Sequence, residues 1–280
     1  MLCETTTCRL FDVQLFALPD CANYFNSTHI RQLVTSAERT ASLNQAIPTR
    51  FNMNSSLKLA AMSATICAVA GIPDTALANR ITVGAFEIDQ TEVTVSEFAA
   101  FADSVGLVTE AEREGGGFEW GAGWERRSGW NFRNPYGEPA APDEPAVHIS
   151  WSEANNYCKA VDGRLPTQKE WASAAYTEQR SKPTDGLITG QTYTYPIGDT
   201  PEGMNNNRKH HVRVATTRPG VNSLYDMGAN VWEWLANRQN DDALTAGGSW
   251  WYGPDQTRDD SMQWKPADFY VVYIGFRCVY

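Results

Sequence analysis

Gly163-Arg164-Leu165-Pro166-Thr167-Gln168-Lys169-Glu170-Trp171 holds a helix stop, a turn and a helix start in one short run. The Thr167 hydroxyl can cap a helix, and Glu170 three residues later completes a capping box. Gly163 closes the helix before it, in which Ala154, Tyr157, Cys158 and Val161 recur at helical spacing from Ser152 onward. Further upstream, Ile81 to Thr94 alternates apolar and polar residues as strands do, with Phe86, Ile88 and Val93 expected on the buried face. Ser96 is expected to cap a helix through Phe98, Phe101 and Val105 that Gly106 stops. Elsewhere Gly, Pro, Asn, Trp and Tyr dominate, which predicts an α+β chain with little regular secondary structure and long ordered loops. The clearest loop runs from Gly115 to Tyr136 and carries Trp120, Trp124 and Trp130. Two readings of these tryptophans are open, a binding surface or plugs in a loop-rich core.

The segment from Met53 has the order of a secretory signal peptide: Lys58, an apolar run from Leu59 to Ile72, then Ala76-Leu77-Ala78 as a cleavage site. Its rival, a membrane span, is disfavoured because the run is short and rich in Ala, Ser and Thr against about 30 Å of hydrocarbon. The expected organisation is therefore residues 1–52 as an untranslated or disordered leader, 53–78 as the signal peptide and 79–280 as a single exported domain. Ile66 is too large for the position before a lipidated Cys67, so neither a lipid anchor nor stable membrane insertion is expected. The expected location is the periplasm. Of six cysteines, only Cys158 and Cys278 lie beyond the signal segment. Such a pair in an oxidising compartment forms one disulfide or stays as two buried thiols. The net charge of −10 disfavours a nucleic-acid partner, which requires basic patches to displace counterions.

Several motifs, in order, resemble those of the formylglycine-generating-enzyme-like (sulfatase-modifying-factor) family. They are Phe86-Glu87-Ile88-Asp89 with Thr91-Glu92-Val93-Thr94, Thr109-Glu110-Ala111-Glu112, Pro145-Ala146-Val147-His148-Ile149-Ser150-Trp151, Tyr157-Cys158 and the stretch quoted above. Leu224-Tyr225-Asp226-Met227, Asn230-Val231-Trp232-Glu233-Trp234, Gly247-Gly248-Ser249-Trp250 and Gly275-Phe276-Arg277-Cys278 follow. The resemblance implies a C-type-lectin-like fold and a Cys158–Cys278 disulfide. It also implies a structural calcium held by Asn230 and Glu233 with backbone carbonyls, oxygen ligands of the kind Ca²⁺ prefers. Gly228-Ala229 precedes Asn230 where the family has Gly directly before the Asn. The other reading is that Asn230 and Glu233 simply hydrogen-bond neighbouring loops.

The family's enzymes hold copper(I) with two cysteines shortly after the Gly-Gly-Ser segment, and those places here are Tyr252 and Thr257. No copper is expected, and the catalytic cofactor is not legible. The iron-dependent branch needs a histidine cluster. His210 and His211 would point to opposite faces of a strand, or sit in an exposed polar loop with Lys209. What remains is Ser249, Tyr252 and Glu119 as candidate catalytic groups, with Trp250, Trp251, Trp120 and Arg258 as candidate binding groups. Trp250 reads equally as core. Glu119, between Phe118 and Trp120, is either a desolvated base or an exposed loop carboxylate. A small, exported chain without the cysteine pair resembles the branch of the family that matures pyoverdine-type siderophore chromophores, which implies a siderophore precursor as partner and oxidation of a dihydro precursor as the step. A non-catalytic binding or accessory module is the alternative.

Overall fold

The computed structural model describes residues 79–280; the expectations for 1–52 and for a signal peptide at 53–78 lie outside the described residues. β1 (Arg80–Val83) and β2 (Phe86–Asp89) form an antiparallel hairpin turned at Gly84. Ile88 and Val93 are buried as the alternation requires, whereas Phe86 is only half-buried. The last residues of the chain return to this hairpin: Glu87 and Tyr280 exchange backbone hydrogen bonds, and the Asp89 N–H donates to the Cys278 carbonyl at 3.0 Å.

Helix α1 (Val95–Val105) begins earlier than Ser96 predicts. Its cap is Thr94, whose Oγ1 accepts from the Glu97 N–H while Glu97 Oε2 accepts from the Thr94 N–H at 2.8 Å. A Thr with Glu three residues on satisfies two end groups, which Ser96 in the first turn cannot do. Gly106 stops the helix in the left-handed region, and Val105 is exposed rather than on the buried face. A short helix α2 (Glu110–Arg113) follows. α3 (Trp151–Ala160) starts one residue before the expected Ser152, after Ser150. α4 (Gln168–Tyr176) has the capping box expected of Thr167 and Glu170.

The stretch from Gly115 to Tyr136 contains a hairpin, β3 (Phe118–Trp120) with β4 (Trp124–Arg126). The main sheet has the order β7-β6-β5-β8. It is built from β5 (Trp232–Gln239), β6 (Asp242–Ala246), β7 (Gln263–Pro266) and β8 (Ile274–Gly275). Only the β5–β8 contact is parallel. One core cluster joins α1 and α3 to the sheet through Phe98, Tyr157, Trp232, Trp234 and Phe276. A second packs α4 on its other elements through Ile88, Trp171, Tyr176 and Leu235. Cys158 of α3 and Cys278 are joined as a disulfide with Cα atoms 5.6 Å apart. No helix among the described residues is long and apolar enough to cross a membrane.

Candidate functional site

The segment after β6 turns at Gly247 and Gly248, both left-handed (φ 91° and 72°). A Cβ on Gly247 would lie 2.8 Å from the Met227 carbonyl oxygen, and one on Gly248 would lie 2.9 Å from that of Gln256. Only glycines allow this close passage, and it drives Ser249 and Trp250 inward. Both are buried, so Trp250 belongs to the core and only its neighbour Trp251 reaches solvent. Trp250 stacks edge-on to Trp251 (5.5 Å) and Tyr273 (6.3 Å), and Tyr252 to Trp232 (5.7 Å) and Tyr273 (6.5 Å). Four buried side-chain polar atoms among the described residues lack a hydrogen-bond partner, and three are donors of this cluster: Ser249 Oγ, Trp232 Nε1 and Trp250 Nε1. Buried donors left unpaired cost about 1–3 kcal/mol each, so the cluster carries an unsatisfied polar interior beneath its aromatic surface.

Thr257 is fully buried, with Oγ1 donating to the Pro254 carbonyl at 2.7 Å and its own carbonyl accepting from Tyr176 Oη at 2.9 Å. Arg258 does not join the aromatic cluster; it is exposed and faces Asp260 at 3.4 Å. The cation at the wall is Lys265, whose Nζ lies 4.4 Å from the Trp232 ring centre and donates to Gln263 Oε1 at 2.8 Å. Burial pushes its amine down to about 8. The sequence hides this because Lys265 reaches Trp232 only through the pairing of β7 with β6 and of β6 with β5, which puts them on one face.

The β3–β4 hairpin presents Trp120 and Trp124, each 43% exposed, with ring centres 5.2 Å apart. Trp124 also meets Phe269 (5.1 Å) and Tyr273 (6.0 Å), so the hairpin continues the aromatic wall. Of the two readings of Glu119, a desolvated base or an exposed loop carboxylate, the structure matches neither: the carboxylate is half-buried and ion-paired. Its Oε2 accepts from Arg127 Nε at 2.6 Å, and the same guanidinium meets Glu125 at 3.1 Å. Flanking aromatics point to opposite faces of the strand from Glu119, which leaves it open to this ion pair.

Asn230 and Glu233 are buried but do not fit a cation site. Glu233 accepts from Arg277 Nε and Nη2 at 2.7–3.0 Å and from Trp171 Nε1 at 2.7 Å. A fully buried guanidinium already balances its charge. Asn230 Oδ1 accepts from Asn205 Nδ2 and the Val212 N–H, both at 2.9 Å, while its Nδ2 donates to Glu92 Oε1. Among the described residues no group of three or more His, Cys, Asp or Glu side chains is placed to hold a metal.

His210 and His211 are not on a strand, and His211 is not part of an exposed loop: it is 3% exposed. Its Nε2 lies 3.0 Å from Glu144 Oε2 and its Nδ1 3.1 Å from Tyr136 Oη. Together with His210, Val212 and Arg213 these three line a cavity of about 410 Å³. His148 lies apart, its ring nitrogens facing the Pro135 and Tyr270 carbonyls, and burial pushes it down to about 4. His211 is 75 residues from Tyr136 and 67 from Glu144 along the chain, so no local spacing could announce the trio.

A sulfatase-modifying factor enzyme 1-like domain matches residues 52–280. The chain belongs to that family. Its α+β, loop-rich architecture is the family's C-type-lectin-like fold. It is 30% identical over 189 residues to the formylglycine-generating enzyme of Streptomyces coelicolor, covering 54% of this chain and 57% of that protein. It is 28% identical over 253 residues to the inactive C-alpha-formylglycine-generating enzyme 2 of Bos taurus, covering 71% and 78%. Against the formylglycine-generating enzymes the match spans 50–59% of their length. The solved structure of PvdO from Pseudomonas aeruginosa superposes with a TM-score of 0.49 at 18% identity, covering 69% of this chain and 79% of that one.

Proposed function

We propose that this family member is an exported tailoring protein, not a formylglycine generator, and that it serves oxidation of a dihydro precursor to a pyoverdine-type siderophore chromophore in the periplasm. The observation that carries the negative half is the occupancy of the two copper-ligand positions by Tyr252 and buried Thr257, while Cys158 and Cys278 are tied to each other. A phenol and a hydroxyl do not replace two thiolates as soft ligands for copper(I). Supporting the positive half are the export pattern at 53–78 and the aromatic wall whose Trp120, Trp124 and Trp251 reach the surface, which suits a flat ligand. In this reading Tyr252, Trp120 and Trp251 border the ligand, the buried Ser249 and Trp250 pack behind them, and Lys265 rather than Arg258 supplies the cation.

Two measurements test the proposal. Purified protein incubated with a sulfatase-type cysteine peptide, with and without copper(I), gives no aldehyde; detectable formylglycine overturns the negative half. Metabolite profiling of a deletion strain shows a reduced chromophore precursor; an unchanged profile overturns the positive half. The exposed Trp120–Trp124 pair on its hairpin supports the second reading, a ligand-displaying module, and the unchanged profile would favour it.

A further inference from the structure

The Tyr136, His211 and Glu144 array has an internal order that fixes its protons. An ionised Glu144 only accepts, so His211 Nε2 carries the hydrogen that it donates at 3.0 Å. His211 Nδ1 is then an acceptor, and the Tyr136 hydroxyl donates to it at 3.1 Å. The phenol oxygen in turn accepts from the His211 backbone N–H at 3.1 Å. The electrostatics agree with that order. The hydrogen bond from His211 holds the Glu144 carboxyl below its usual range, and burial pushes His211 down, so a neutral imidazole sits between a carboxylate and a phenol. Burial pushes the Tyr136 phenol up, so it keeps its proton until a base takes it.

This is a hydroxyl, a base and an orienting carboxylate in sequence, the arrangement that activates a group which is unreactive at its free pKa. It opens on a cavity of about 410 Å³, within the range of small-molecule sites. The Tyr136 and His210 rings, in tilted contact with centres 5.9 Å apart, line it, and the Tyr136 ring lies 6.5 Å from that of Trp250, which joins the cavity to the aromatic wall.

We propose that this cavity is a proton-transfer site in which the Tyr136 phenol exchanges a proton with a bound, weakly acidic aromatic small molecule, with His211 as the base behind it and Glu144 orienting His211. As Tyr136 Oη takes the substrate's proton, its own proton crosses to His211 Nδ1. The electron pair of the broken substrate bond stays on the substrate as its anion, and the imidazolium formed is held by Glu144. The return path restores every proton, and no electron leaves, so this step requires no oxidant. Charge on Tyr136 Oη during the exchange is met by the His211 backbone N–H. That the molecule is the dihydro precursor rests on the proposed function; the relay itself does not.

An aryl sulfonyl fluoride reports the relay without the natural substrate. It forms an O–S bond to a phenol as the S–F bond breaks, the fluoride leaves, and the phenolic proton passes to a neighbouring base. Peptide mapping should find Tyr136 modified about a hundredfold faster than Tyr270, a partly buried tyrosine whose hydroxyl meets Arg126 and no histidine. His211→Asn should abolish the preference and added imidazole should restore it, which a merely structural role for His211 would not do. Glu144→Gln keeps a hydrogen-bond acceptor but loses the charge, and should lower the preference at a site open enough to tolerate the change. Equal labelling of Tyr136 and Tyr270 overturns the proposal, as does full preference in both variants. Should His211→Asn fail to fold, full preference in Glu144→Gln is sufficient to overturn it. Labelling as expected, with full rescue of a deletion strain by Tyr136→Phe, keeps the relay and sinks only its link to siderophore maturation.

Discussion

Arg277 is among the largest fully buried side chains, and its position explains why Glu233 is a structural partner rather than a free ligand. Its guanidinium also donates to the Asp89 and Tyr225 carbonyls, so nearly every donor is used. Arg277→Met would leave the Glu233 carboxylate buried and unpaired, and should cost about 3–5 kcal/mol in urea unfolding. Arg277→Met with Glu233→Leu should recover most of that loss, because apolar packing replaces both charges. Ala229 illustrates the opposite kind of constraint. It adopts φ 66° where the family has glycine, fully buried and donating to the Gly247 carbonyl at 2.7 Å. Ala229→Gly should stabilise by up to about 1 kcal/mol, the relieved left-handed strain being partly offset by glycine's larger unfolded entropy. A lower urea midpoint in that variant would contradict it.

Helices and strands are held at their ends by the same few groups. Thr94, Thr109 and Thr167 each begin a helix with Glu three residues on, and Thr167→Ala should cost about 1 kcal/mol in unfolding free energy. At the end of β2, Asp89 accepts from the Cys278 N–H at 2.8 Å and from Tyr280 Oη at 3.1 Å, anchoring the returning chain. Burial raises its carboxyl from 3.8 to about 7, partly offset by those hydrogen bonds. The folded state therefore holds this proton to higher pH than the unfolded chain. Its stabilising contribution is complete below about pH 4 and is lost as pH rises through about 7. Burial raises Glu92 and Asp226 in the same direction, so the informative quantity is the difference between wild type and Asp89→Asn. Wild type should lose more stability between pH 5 and pH 8 than the variant does, measured by urea titration. Equal losses would remove Asp89 from the explanation.

Over the whole molecule, the disulfide and the hairpin with the C-terminal residues act on the same closure. Cys158 and Cys278 are separated by 120 residues, and the chain-entropy model assigns such a loop about 5 kcal/mol. Reduction, or replacement of both cysteines by alanine, should lower the unfolding free energy by a few kcal/mol while leaving the sheet signal below the transition. A reduced protein as stable as the oxidised one would show that β2 and α3 hold Cys278 in place unaided.

The sequence by itself determined the helix start at Thr167, the stop at Gly106, the family and, through the family resemblance, the disulfide partners. Each of these rests on residues within one turn, or on a motif carried whole. It misplaced the start of α1 by reading Ser96 before Thr94, because two hydroxyls close together both satisfy the simple cap rule and only the reciprocal bond with Glu97 separates them. The site was half legible. Ser249, Trp250 and Tyr252 are neighbours in the chain, and their gathering follows from the Gly247-Gly248 turn. Tertiary structure alone decided that Glu119 is paired with Arg127, that Lys265 rather than Arg258 lies on the aromatic wall, and that Tyr136, Glu144 and His211 share a cavity. The physical reason is the length of the irregular segments: without a helical or strand period, nothing in the order of residues says which distant side chain a loop brings beside which.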